Sequence, residues 1–164
     1  MLKLLPILFF AAVNITQISI FEIDGIFSNS HINAIQRYIG ENDLRETSLF
    51  VIQYNASDTS ENSVVELQEL LKGIKTPKAI WVGPNETTVD ARLLKSFDYV
   101  GISPGTTIIN KLSNNEFEFI NQEGIYEGYM VVGSIGAFIE NLGNEKIISN
   151  ICLLYTSPSP RDAL

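Results

Sequence analysis

The sequence predicts an α/β domain whose parallel sheet is built from repeated β-α-β units. Three observations carry that expectation. Ser48–Tyr54 (SLFVIQY) is a nearly continuous apolar run, the pattern of a strand buried on both faces. Lys78–Val82 (KAIWV) repeats the pattern on a smaller scale. Between and around these runs lie stretches with apolar residues at helical spacing, and strands alternating with helices of this length imply right-handed parallel crossovers.

The elements follow in order. Gln17–Ile23 (QISIFEI) reads as a first strand, and Asp24-Gly25 as a turn. Ser28–Gly40 reads as a helix with Ser or Asn as N-cap and Gly40 as its stop. Ile32, Ile35 and Ile39, with Ala34 and Tyr38, form its apolar stripe. After the strand Ser48–Tyr54, Asn55–Asn62 (NASDTSEN) is expected to be a polar loop. Ser63–Ile74 is the next helix, with Val64, Val65, Leu67, Leu70 and Leu71 on its buried face. Thr76-Pro77 ends that crossover. A helix is expected over Thr88–Ser96 and a short strand over Asp98–Ile102. Phe117–Ile120, Ile125–Val132 and Glu145–Ser149 look extended, and Ser134–Asn141 helical.

Composition bounds the function. A chain of 164 residues suits one domain of ordinary size, and 45% hydrophobic with 18% charged residues is a globular balance. The net charge of −8 argues against nucleic acid, whose phosphates must be neutralised by Lys and Arg. Two end segments stand apart from the domain. Residues 1–13 carry Lys3 and then the apolar run Leu4–Val13 with Ala11 and Ala12, which reads as a signal peptide; the run is too short to span a bilayer, which needs about 20 apolar residues. The tail 151–164 contains CLLYTSPSPRD, which resembles the translation of a transposase sequencing adapter and is read as non-native. That leaves residues 14–150 as a single shortened domain, expected to have continued past Asn150. Cys152, the only cysteine, lies in the tail and so carries no disulfide or thiol argument.

Pro77–Thr107 is the most informative stretch: strand, short loop, helix, strand and a Ser103-Pro104-Gly105-Thr106 turn. With ISIFEIDGIF, FVIQYNASDT, Pro77–Pro84 and the closing segment EGIYEGYMVVGSIGAFIENLGNEKI in their order, the chain resembles the nodulation-efficiency protein D (NfeD) family. The resemblance implies a ClpP/crotonase-like fold and a membrane-bound, ClpP-class serine protease ancestry. It also implies where the chemistry should be. The family's nucleophile motif falls on Thr88-Val89-Asp90, so Thr88 stands at the nucleophile-equivalent position. The oxyanion-hole glycines fall on Asp58 and Thr59. The family's lysine base has no counterpart, since Lys111 follows the turn almost at once and Lys146 lies in the closing segment.

These residues argue for lost catalysis. A serine peptidase needs an activated hydroxyl, a base and N–H donors for the oxyanion. Val89-Asp90 is bulky and charged where small residues are wanted, and Thr88 reads more simply as a helix N-cap. The Asp58 carboxylate would repel a developing oxyanion. His31 is expected to be exposed near a helix start; one histidine with no native cysteine makes a metal site improbable. Asp90 and Asp98 read as a helix-end charge and a strand-start turn, and Trp81 as core. Gly83, Gly101 and Gly105 have no phosphate-cradling spacing. The sequons at Asn14, Asn55 and Asn85 carry little weight.

The expected function is an exported, extracytoplasmic binding or scaffold module of a membrane-anchored protein, without a cofactor or metal. Its partners would be a peptide, a membrane protein or a second copy, and not nucleic acid. The competing readings are an active membrane-associated serine endopeptidase using Ser96 or Ser103, and an acyl-CoA enzyme of the crotonase type.

Overall fold

The computed structural model describes residues 17–84, 87–110, 116–120, 124–126 and 129–144. Its centre is β2 (Thr47–Thr59), flanked by β1 (Gln17–Phe27) and β3 (Lys78–Val82). Two further parallel strands, β5 (Tyr99–Ile102) and β9 (Tyr129–Val131), extend the sheet, and β8 (Gly124–Tyr126) closes it antiparallel to β9. The strand order is β1-β2-β3-β5-β9-β8. A second, three-stranded sheet has β6 (Thr106–Asn110) between β4 (Thr88–Asp90), parallel to it, and β7 (Glu116–Ile120), antiparallel.

Each face of the main sheet buries a different set of side chains, because successive residues of a strand point to opposite sides. On one face Phe50, Ile52, Tyr54 and Ala56 of β2 pack with Phe21 and Ile23 of β1 and Ile80 and Val82 of β3. The helices α1 (Asn29–Glu41), α2 (Glu61–Lys72) and α3 (Ala91–Leu94) cover them, through Ile32, Ile35, Val64, Leu67, Leu71, Leu93 and Leu94. On the other face Leu49, Val51, Ile18, Ile20, Ala79 and Trp81 meet α4 (Ile135–Asn144) through Phe138, Ile139 and Leu142. This is the three-layer solution that a parallel sheet requires.

The sequence expectations hold for β3 to the residue and for the parallel β-α-β order, and they need correction elsewhere. The Asp24-Gly25 turn is absorbed into β1: Gly25 takes φ 75°, a conformation open to glycine, and the register shifts between Gly25 and Ile26 while the strand runs on to Phe27. The polar loop expected from Asn55 is strand as far as Thr59. Its polar side chains find partners there: Asn55 Nδ2 donates to Glu22 Oε1 at 3.1 Å, and Ala56 is fully buried. The helix expected from Thr88 begins only at Ala91, because Thr88-Val89-Asp90 is β-branched at two of three positions and pairs with Thr107–Ile109. Gly40 lies inside α1, which is capped by Asn42, whose backbone N–H and Nδ2 both donate to the Tyr38 carbonyl, at 3.0 and 2.8 Å. Val65 points outward at 46% exposure, and the extended stretch 125–132 is a hairpin, β8 and β9. The signal segment, Lys111, the strand expected over 145–149, Lys146 and the tail lie outside the described residues.

One contact fixes how closely α4 approaches the sheet. A Cβ placed on Gly101 would sit 2.5 Å from Cδ2 of Phe138, a side chain that is itself fully buried. Gly101→Ala is therefore expected to push α4 away and lower stability by about 1–3 kcal/mol, read as a shift of the denaturant midpoint.

Candidate functional site

In parallel α/β sheets, ligands bind beyond the carboxyl ends of the strands. Here that end is formed by the tip of β2, the turn after β5, and β4. Asp58 and Thr59 close β2, in register with Ile26 and Phe27 of β1. Strand β4, with Thr88 at its start, packs against β2. The strands that carry Asp58-Thr59 and Thr88 are thus in contact with each other.

The chemistry of each residue can be read in turn. Thr88 is half-buried within a strand, so its expected role as a helix N-cap is corrected; Asp90 is the cap, its Oδ1 accepting the Arg92 N–H at 2.8 Å. The Thr88 hydroxyl makes no hydrogen bond among the described residues. At the other segment, the Asp58 carboxylate accepts the Thr59 N–H at 2.7 Å. The Thr59 hydroxyl is hydrogen-bonded to the Tyr54 hydroxyl. Tyr54 is fully buried, and burial pushes its phenol up to about 12, with the nearby carboxylates of Asp90 and Asp58 adding to the rise and the Thr59 hydrogen bond opposing it.

Arg92 ties the site to its surroundings. Its guanidinium grips the buried Asp90 carboxylate, Nη2 to Oδ2 at 2.8 Å and Nε to Oδ1 at 3.1 Å, and reaches Glu61 Oε1 at 3.3 Å. This bridge links β4 and α3 to the first turn of α2, directly after Thr59. Two carboxylates, Glu61 and Asp90, thus meet one guanidinium, a balance that opposes a developing negative charge. Sequence reasoning missed Tyr54 and Arg92. The spacing Asp90-x-Arg92 is the signal available for the latter, since a cap carboxylate and an arginine two residues on can share one hydrogen-bond set.

Among the described residues no basic side chain hydrogen-bonds the Thr88 hydroxyl. Arginine stays protonated in proteins. The described lysines cluster about the opposite end of α2 and after α3: Lys72 pairs with Glu69 at 2.5 Å, and Lys78 donates to the Ile74 carbonyl at 3.0 Å. Lys72, Lys78 and Lys95 share a cavity of about 390 Å³ with Ser96, but the Ser96 hydroxyl accepts from Gln68 Nε2 at 3.2 Å and is bonded to no lysine among the described residues. Ser103 is 2% exposed and begins the Ser-Pro-Gly-Thr turn, its carbonyl accepting from the Thr106 hydroxyl at 2.8 Å. Asp98 accepts the Lys78 N–H at 2.8 Å, in keeping with a strand-start role, and Trp81 is core. Asn55, the second sequon, is inside β2. His31 is buried at the start of α1, contrary to the expected exposure, because Phe27 covers its ring at 6.0 Å between centroids. Among the described residues no metal-binding group of side chains exists, and no helix is long and apolar enough to cross a membrane.

Absorbance titration should therefore show a tyrosine ionising near pH 12 that disappears in Tyr54→Phe. The folded state favours the neutral phenol, so the stability this contributes is present below the unfolded value of about 10 and is lost as pH rises toward 12.

No protein-family model matches the sequence, and no curated protein matches it. Solved structures do. The 1510-N membrane protease specific for a stomatin homolog, from Pyrococcus horikoshii, superposes with a TM-score of 0.68 at 14% identity, covering 90% of this chain and 95% of that one. A serine-to-alanine mutant of the 1510-N membrane-bound stomatin-specific protease gives a TM-score of 0.51 at 13% identity, over 79% of this chain and 60% of that one. A lysine-to-alanine mutant in complex with a substrate peptide gives 0.51 and 13%, over 79% and 57%. Identities this low establish fold. The chain has the ClpP-like fold of the NfeD-type membrane proteases that its sequence resembles.

Proposed function

We propose that this domain is a catalytically degenerate relative of the ClpP-class membrane proteases, retained as a binding or scaffold module for an extended peptide or a membrane-protein partner. The observation that carries this reading is the pairing of a kept frame with an unsuited site. Strands β2 and β4 are in contact, yet Asp58 accepts the Thr59 N–H at the position expected of an oxyanion donor, and among the described residues no basic side chain hydrogen-bonds the Thr88 hydroxyl. The solved neighbours support the choice of ligand class, since one of them is a protease in complex with a substrate peptide. Their description as membrane-bound supports a membrane-associated setting, and the signal-like segment 1–13 supports export. A second copy of the chain remains a candidate partner of the same module.

The test is chemical. A serine-directed fluorophosphonate probe is expected to leave the purified protein unlabelled, and Thr88→Ala is expected to change stability by no more than about 0.5 kcal/mol. Labelling that vanishes in Thr88→Ala would overturn the reading.

A further inference from the structure

The start of α1 has an unusual donor–acceptor arrangement. Helices beginning Ser-x-x-Glu or Ser-x-x-Gln use the fourth side chain to accept the N–H of the capping residue. Here the four residues are Ser28-Asn29-Ser30-His31, and the returning acceptor is an imidazole: the Ser28 N–H donates to His31 Nδ1 at 3.4 Å. The Ser28 carbonyl in turn accepts the His31 N–H at 3.0 Å. Carboxamides and carboxylates accept throughout the neutral range, but Nδ1 accepts only while it carries no proton.

The surroundings make that proton consequential. From β1, the Asp24 backbone hydrogen-bonds the ring and its carboxylate faces it, while Phe27 covers it at 6.0 Å. Strand β2 stands behind Phe27 with Tyr54, edge-on at 5.9 Å, its phenol neutral well above the range concerned. Helix α2 meets this corner through Ser63, whose hydroxyl donates to Asn29 Oδ1 at 3.2 Å. The first turn of α1 contains no acidic residue to offset a cation at the positive end of the helix dipole.

We propose that Ser28 and His31 form a pH-gated helix cap: the neutral imidazole holds the corner between β1 and α1 closed, and protonation releases it, loosening Phe27 and with it the Tyr54–Thr59 hydroxyl pair at the rim of the site. A proton turns Nδ1 from acceptor to donor, so that two donors face each other. Burial lowers the pKa of His31 below its usual 6.5, against the opposing pull of Asp24. The sign follows: the cap's contribution is fully present above about pH 6.5 and is lost as pH falls below it toward the lowered folded value. The gate stands independently of the peptide-binding reading; only the meaning of a looser rim rests on that reading.

Amide-exchange protection measured by NMR on the whole chain, at pH 7.0 and at a pH below the midpoint of the His31 ring titration, tests it. Protection of the Ser28–His31 amides is expected to fall about fivefold on acidification, the scale of losing a helix cap. In His31→Gln, which keeps an acceptor that does not titrate, it is expected to stay constant. An equal fall in both proteins, or none in either, overturns the gate. Should His31→Gln fail to fold, the wild-type ring titration decides: a midpoint below 6.5 with the Ser28 amide shift following it supports the gate, and a midpoint at or above 6.5, or a Ser28 amide that does not follow, refutes it. A Thr59 amide that ignores the His31 titration refutes the relay to the rim alone. Absence of peptide binding at either pH tells against the functional reading and leaves the gate untouched.

Discussion

Strand β2 must be buried on both faces at once, and the rest of the molecule answers that constraint. Its odd-numbered Leu49 and Val51 need cover on one side of the sheet, and Phe50, Ile52, Tyr54 and Ala56 on the other. Full burial of side chains this size stabilises by about 1.5–3 kcal/mol each, but only when both layers are in place. Parallel neighbours on both edges satisfy the backbone, the helices α1 to α3 close one face, and α4 closes the other. Gly101 is where the second closure is tightest, since Phe138 occupies the space a side chain would take.

The same strand carries that constraint into the site. Beyond Ala56 the chain leaves the core and its side chains become polar, but the ladder with β1 continues to Thr59. Asp58 and Thr59 are therefore held at the carboxyl end of the sheet by strand pairing, beside β4. Tyr54 anchors this tip from below through Thr59, and the Glu61–Arg92–Asp90 bridge anchors it from the side. The proposed loss of catalysis rests on what is held there. The Asp58 carboxylate takes the Thr59 N–H, no described basic side chain hydrogen-bonds the Thr88 hydroxyl, and Arg92 is already engaged by two acids. On the proposed reading, the frame holds a chain rather than cutting one.

Much of this was legible in the sequence, for physical reasons that differ by element. β3 and the core of β2 were readable because uninterrupted apolar runs have few alternatives to double-sided burial. Asn55–Thr59 was not, because polar side chains in a strand need partners such as Glu22, 33 residues away, that no local pattern reveals. Thr88–Ser96 has helix-forming residues at its centre, and only pairing with Thr107–Ile109 decides that its first three residues are strand. His31 was misjudged because a lone histidine near a helix start is usually solvated; Phe27, set in place by the bulge at Gly25, is what buries it. The candidate site was legible as residue positions and not as contacts: the resemblance named Thr88, Asp58 and Thr59, while the Tyr54–Thr59 pair and the Arg92 bridge emerge only from the fold.

The central claim is that this fold holds peptides and does not cleave them. It is tested most directly by passing a tryptic digest of casein over the immobilised protein and analysing the retained and flow-through fractions by mass spectrometry. The account predicts a retained subset whose termini are all those made by trypsin. New termini that appear only after exposure to the protein, and that are lost with Thr88→Ala, would contradict it.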